Sequence, residues 1–160
     1  MTANLAAFRG LLDGITAEEA AWKSAPDKWS VLELTNHLYE EEYLDFRIRV
    51  ELTLSSPGKE WPGWDPVGAV EKGKYNQRDF EKSKQNLFDE RQKSISWLKG
   101  LENPDWDKYF SHSRLGDLRA GDLLAAWLAH DYLHIRQLAN IHLLYTKNFT
   151  KPFDTRYAAL

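Results

Sequence analysis

The 160-residue sequence has no cysteine. Disulfides, thiolate metal sites and cysteine nucleophiles are therefore excluded, and any metal must be held by nitrogen and oxygen donors. Long apolar runs are also missing. No window approaches the roughly 18 uninterrupted residues of a membrane helix, and the first ten residues lack a basic stretch followed by an apolar one. Positive charge is not in excess, since 21 Lys and Arg face 24 Asp and Glu for a net charge of −3. No global basic field attracts nucleic acid. Together these absences lead us to expect a cytoplasmic protein with neither membrane nor nucleic-acid partners, and a disulfide-free chain suits a reducing compartment.

Aromatic residues are plentiful: seven each of Trp, Tyr and Phe within a 42% hydrophobic composition favour a packed globule over a disordered chain. The length suits one domain spanning residues 1–160. Four segments carry helical periodicity. The first runs from about Thr2 to Asp13, with Leu5, Phe8, Leu12 and Ile15 on one side and Gly14 as its stop. Thr16 and Glu19 have capping-box spacing and announce a short turn. Ser30 and Glu33 repeat that spacing and start a second helix from about Val31 to Leu54.

Ser55-Ser56-Pro57-Gly58 ends the second helix, and a long aromatic-rich connection follows from Lys59 to Gly68. The third helix is expected over about Ala69 to Leu101, with Phe80, Leu87, Phe88, Ile95 and Leu98 inward and its many charges solvated, Asp89-Glu90-Arg91 included. After a loop containing His112, Gly116 and Asp117, a fourth helix spans about Ala120 to Tyr145. A tail from Thr146 to Leu160 closes the chain. No segment alternates with period two over five or more residues, so the fold class is all-α, a four-helix bundle with a long loop between its second and third helices.

The chemistry concentrates on three histidines. His130 and His134 stand four residues apart, about 40° around a helix and one turn along it, so both imidazoles can reach one ion. They share an arc with Leu123, Trp127, Gln137 and Ile141, the apolar face of the fourth helix, where an unpaired ring is costly to bury. His37 shares an arc with Leu34, Leu44, Ile48 and Leu52 and also points inward. Glu41, one turn later, falls on the same face. Either these rings are satisfied by ordinary hydrogen bonds, or they converge on a metal with coordination positions left open, as in catalytic sites.

Glu41 is read as an acceptor from a ligand histidine, a fourth ligand or a group that orients water. Gln137 is read as a partner for a histidine or for water, with core packing as its bland alternative. Asp131 is better placed for an interhelical or solvated role than as a general base. His112 and His142 are left outside the site, and Arg47 is assigned to a salt bridge.

Trp29-Ser30-Val31 ahead of Glu33, then His37-Leu38, with His130-x-x-x-His134-x-x-Gln137 near the end, resembles the DinB-like superfamily. Its members include YfiT-like metal-dependent hydrolases, bacillithiol transferases and mycothiol-dependent isomerases. The resemblance runs from about Leu5 to Tyr145 and includes Tyr75-Asn76 and Leu115-Gly116-Asp117. It implies a four-helix bundle with a divalent metal at the base of a pocket, ligands at His37, His130 and His134, and a homodimer. Zn or Ni suits the donor set best, with Fe, Co and Mn as further candidates. The expected function is metal-dependent hydrolysis of a small molecule or transfer of a low-molecular-weight thiol. The rival expectation is a non-enzymatic dimeric bundle that binds metal or responds to stress.

Overall fold

The computed structural model describes Met1–Ala159, with side chains through Ala158; Leu160, the end of the expected tail, lies outside the described residues. Four long helical segments form the bundle: α1 (Thr2–Leu12), the pair α3 (Val31–Glu41) and α4 (Arg47–Ser55), α6 (Phe80–Lys99) and α7 (Ala120–Phe149). Two short helices, α2 (Ala17–Ala21) and α5 (Pro66–Lys72), and a hairpin of β1 (Tyr109–His112) and β2 (Gly116–Arg119) join them. Helix α3 packs on α6, α1 on α7 and α6, and α4 on α7.

The helix starts follow local chemistry. Thr16 accepts the Glu19 amide, fixing α2. At α3 the capping box is complete: the Ser30 hydroxyl accepts from the Glu33 amide at 3.0 Å, and the Ser30 amide donates to the Glu33 carboxylate at 2.9 Å. Pro66 begins α5, with Asp65 accepting from the Gly68 amide. The third bundle helix therefore does not begin at Ala69 as expected. Helix α5 stops at Gly73, Lys74 turns left-handed at φ 47°, and Asp79 then caps α6 through the Lys82 amide. The apolar stripe from Phe80 onward lies wholly within α6.

Between α3 and α4 a π-helical turn, Glu42–Phe46, inserts one extra residue into the helix. It corrects the expected inward face. Leu44, Ile48 and Leu52 are only half-buried, whereas Val50 and Thr53 are shut inside and Phe46 stacks on Trp127 at 5.7 Å. The turn also keeps the consecutive residues Glu41 and Glu42 both inside.

Two apolar clusters flank a polar layer. One gathers Leu5, Phe8, Leu34, Leu38, Leu87, Leu138 and neighbours; the other centres on Val50, Leu123 and Trp127. Along α7 the layer between them is His134, Asp131 and His130. Along α3 and the π turn it is His37, Glu41 and Glu42. Arg91 crosses it from α6, with Nη1 and Nη2 at 2.6 and 2.7 Å from the two Asp131 oxygens and Nη2 at 2.8 Å from Glu42. Asn4 of α1 donates to Asp131 at 2.8 Å. All four side chains are buried, so Arg91 is not part of the solvated face expected for α6, and neither are Glu90 and Lys84. Burial pushes the Glu42 carboxyl up against the lowering effect of Arg91.

The hairpin pairs Phe110 with Leu118 and turns at Gly116, whose φ is +74°. His112 thus sits on a strand, half-buried, rather than in a solvated loop. Replacing Arg91 with Met strands two buried carboxylates and is expected to destabilise the protein by about 3–5 kcal/mol in urea denaturation. A loss below about 1 kcal/mol would show that the network contributes little to holding the helices.

Candidate metal centre

Two i, i+4 pairs face each other across the bundle. His37 and Glu41 project from the last turn of α3, and His130 and His134 from the middle of α7. The three Nε2 atoms converge: His134 lies 2.9 Å from His130 and 3.3 Å from His37. Glu41 Oε2 is 3.0 Å from His130 Nε2 and 3.5 Å from His37 Nε2. One donor atom from each of the four residues lies within 4.8 Å of all the others.

These spacings fit an ion. Donors about 2.1 Å from a shared cation stand about 3.0–3.4 Å from one another. They fit hydrogen bonding poorly, because a neutral imidazole carries one N–H and three Nε2 atoms cannot all find acceptors among themselves. Glu41 Oε2 and His37 Nδ1 are buried without any hydrogen-bond partner. The donor set of three nitrogens and one carboxylate oxygen can hold a divalent cation of the Zn, Ni, Co or Fe type.

The surroundings keep the ligands in the form a cation needs. Burial lowers the pKa of His37, with Glu41 opposing and His130 reinforcing the shift. His134 is lowered to about 4, by burial first and then by His130 and His37. Glu41 is opposed by burial, but the hydrogen-bonding and positive potential of the neighbouring imidazoles prevail, and its carboxyl stays below its ordinary value. Gln137 Oε1 is 3.0 Å from His134 Nδ1. An amide oxygen can only accept, so it fixes the proton on Nδ1 and leaves the Nε2 lone pair directed at the cluster. The Trp29 ring lies 4.8 Å from that of His37 and restricts it from the other side.

The cluster forms the base of an open cleft of about 770 Å³, walled by Trp29, Pro66, Val67, Leu133, Arg136 and Asn140. The volume suits a small molecule. His130, the least buried of the four, borders the opening. All five residues singled out from the sequence, His37, Glu41, His130, His134 and Gln137, meet here. Asp131 does not: it turns to Arg91 and is unavailable as a base. His142 is likewise elsewhere, with Nδ1 3.1 Å from Glu19 and Nε2 2.8 Å from the Leu11 carbonyl. Arg47 pairs with Glu90 and Ser94.

Sequence reasoning missed the cleft walls. Leu133, Arg136 and Asn140 lie on the flank of α7 that continues from Gln137, and a wider helical projection would have included them. Pro66 and Val67 carried no such signal.

The DinB superfamily model matches residues 1–138. The chain belongs to the DinB superfamily. No curated protein sequence matches it significantly. Among solved structures, it is similar to YfiT from Bacillus subtilis, described as a probable metal-dependent hydrolase with an unusual four-helix bundle topology. The match has a TM-score of 0.74 at 16% identity and covers 86% of this chain and 79% of that one. At that identity the likeness is one of fold, and it places the DinB superfamily bundle on firm ground. No helix among the described residues is long and apolar enough to cross a membrane.

The lowered His134 value sets a pH dependence. With the folded pKa near 4 and the unfolded value near 6.5, the unfolded chain binds more protons between them, so stability falls as pH drops through that window. For metal-free protein the loss from His134 is on the order of 3 kcal/mol. Urea midpoints at pH 7.5 and 4.5 measure it, and His134→Gln should remove most of the difference. Equal pH sensitivity in the variant would refute the assignment.

Proposed function

We propose that the chain is a metal-dependent enzyme acting on a small molecule, with His37, His130 and His134 as ligands of one divalent ion. The observation that carries this reading is the convergence of three Nε2 atoms and one buried carboxylate at the base of a solvent-open cleft. A bound ion would supply Lewis acidity, polarising a substrate oxygen and lowering the pKa of a water or thiol.

Hydrolysis is the leading reaction. Among the described residues, no Ser, Thr, Lys or Tyr lines the cleft, and the sequence has no Cys. The nucleophile must therefore come from outside the chain, as water in hydrolysis or as a low-molecular-weight thiol in transfer. Glu41, held ionised beside His130, is suited to take the nucleophile's proton or to fill the fourth corner of the site. Gln137 acts through His134 as a positioning residue. Trp29, Val67 and Leu133 offer an apolar wall to the substrate body.

Protein purified without chelators is expected to carry near-stoichiometric metal, with Zn or Ni the first candidates, and His37→Ala and His130→Ala should each lose it. Gln137→Ala should weaken metal affinity by about 10–100-fold. Glu41→Gln separates the two roles of the carboxylate. Retained metal with a large fall in turnover across ester, amide and thiol-transfer panels marks a base, and lost metal marks a ligand. Failure of wild-type protein to take up Zn, Ni or Fe on reconstitution would sink the reading.

A further inference from the structure

Beside the metal cleft lies a second cavity of about 510 Å³ that the metal chemistry leaves unused. Its walls come from residues 60–64 of the connection after α4, from the tip of the hairpin, and from Asp45 and Arg49. Pro66 lines both cavities, so they adjoin. The Trp61 ring stacks on Phe110 at 4.2 Å, with the Arg49 guanidinium 5.2 Å from its centre. This gives the chamber a flat aromatic wall.

The chamber is rich in N–H donors and short of acceptors. The indole nitrogens of Trp61 and Trp64 are both sealed from solvent with no hydrogen-bond partner. An unmet buried donor is costly, and a native structure that tolerates two on one short segment calls for an explanation. His112 adds a third donor: its Nδ1 accepts from the Arg114 and Leu115 amides at 3.2 and 3.3 Å, which leaves the proton on Nε2. Arg114 has no carboxylate partner among the described residues. Of the two acids in the wall, Asp45 is engaged by Arg49 at 2.6 Å and Glu60 stands exposed to water. Neither supplies an acceptor to the indoles.

We propose that this chamber binds the carboxylate of a small acid with a flat apolar body. The acid would bring the acceptors that Trp61, Trp64, His112 and Arg114 lack, and would lay its body on the Trp61–Phe110 pair. Fixed donors on a preformed apolar wall are the usual means of orienting such ligands. Binding here needs no metal. On the reading of function given above, and only on it, the other end of the acid extends past Pro66 toward the histidine cluster, which makes the substrates acids that carry their reactive group away from the carboxylate.

Calorimetric titration of the full chain with phenylacetate, and with phenylacetamide as its neutral isostere, tests this. The titrations are run on metal-free and on metal-loaded protein, with metal content measured separately. Phenylacetate should bind saturably at millimolar concentration or better in both forms, and the amide at least about tenfold more weakly. Trp64→Phe, which keeps the ring and deletes the N–H, and Arg114→Gln, at an exposed turn, should each weaken phenylacetate about five- to tenfold without changing metal content. Hydrogen exchange in residues 60–64 should slow when the acid is bound. The proposal is overturned if acid and amide bind alike, if both variants bind as wild type does, or if no saturable binding occurs at millimolar concentration. Absence of metal from the protein would count against the histidine cluster alone and would leave this result standing.

Discussion

The Arg91–Asp131 pair is the contact on which the geometry of the centre depends. It lies in the polar layer between two apolar clusters and, with Glu42 and Asn4, ties α1, α6, α7 and the π turn together at one level. Both of its anionic partners are chain neighbours of proposed ligands. Asp131 follows His130, and Glu42 follows Glu41. Fixing Asp131 toward α6 obliges His130 and His134 to face α3 instead. Buried ion pairs of this kind add little net stability against a well-packed apolar core, but removing one member is costly. Such a network earns its place by selecting one helix rotation among several that the apolar clusters alone would tolerate.

The centre then shows how burial can prepare a cation site. Desolvation disfavours charge on His37 and His134, which holds them neutral near pH 7 with lone pairs free. Glu41 is the exception, kept ionised by the same imidazoles whose protonation burial suppresses. The result is a compact group of electron-pair donors with one negative charge and too few protons to satisfy itself. Gln137 completes the preparation from outside the cluster by choosing the tautomer of His134.

Much of this was legible in the sequence, for identifiable reasons. Helix starts at Ser30 and Thr16 are written in hydroxyl–carboxylate spacings that act over three residues, and these appear as expected. The i, i+4 histidines and the i+3 Gln are local relations on one helix, so they survive intact. The π turn was not legible, because nothing in Glu42–Phe46 breaks helical propensity; its signature is the burial of Val50 and Thr53 in place of Ile48 and Leu52. Arg91 was read as solvated because its partners lie on other helices, some forty residues away in the case of Asp131. The hairpin escaped because two four-residue strands offer too little alternation to register.

The two halves of the centre come from opposite ends of the chain, with His37 and His134 separated by 97 positions. An ion shared between α3 and α7 would act as a removable cross-link that closes a loop of most of the protein. Loops of that length are costly for an unfolded chain to close and are already closed in the folded one. The free energy of ion capture would therefore be drawn from the same account as the cohesion of the bundle, so that chelation strength and resistance to unfolding rise and fall together.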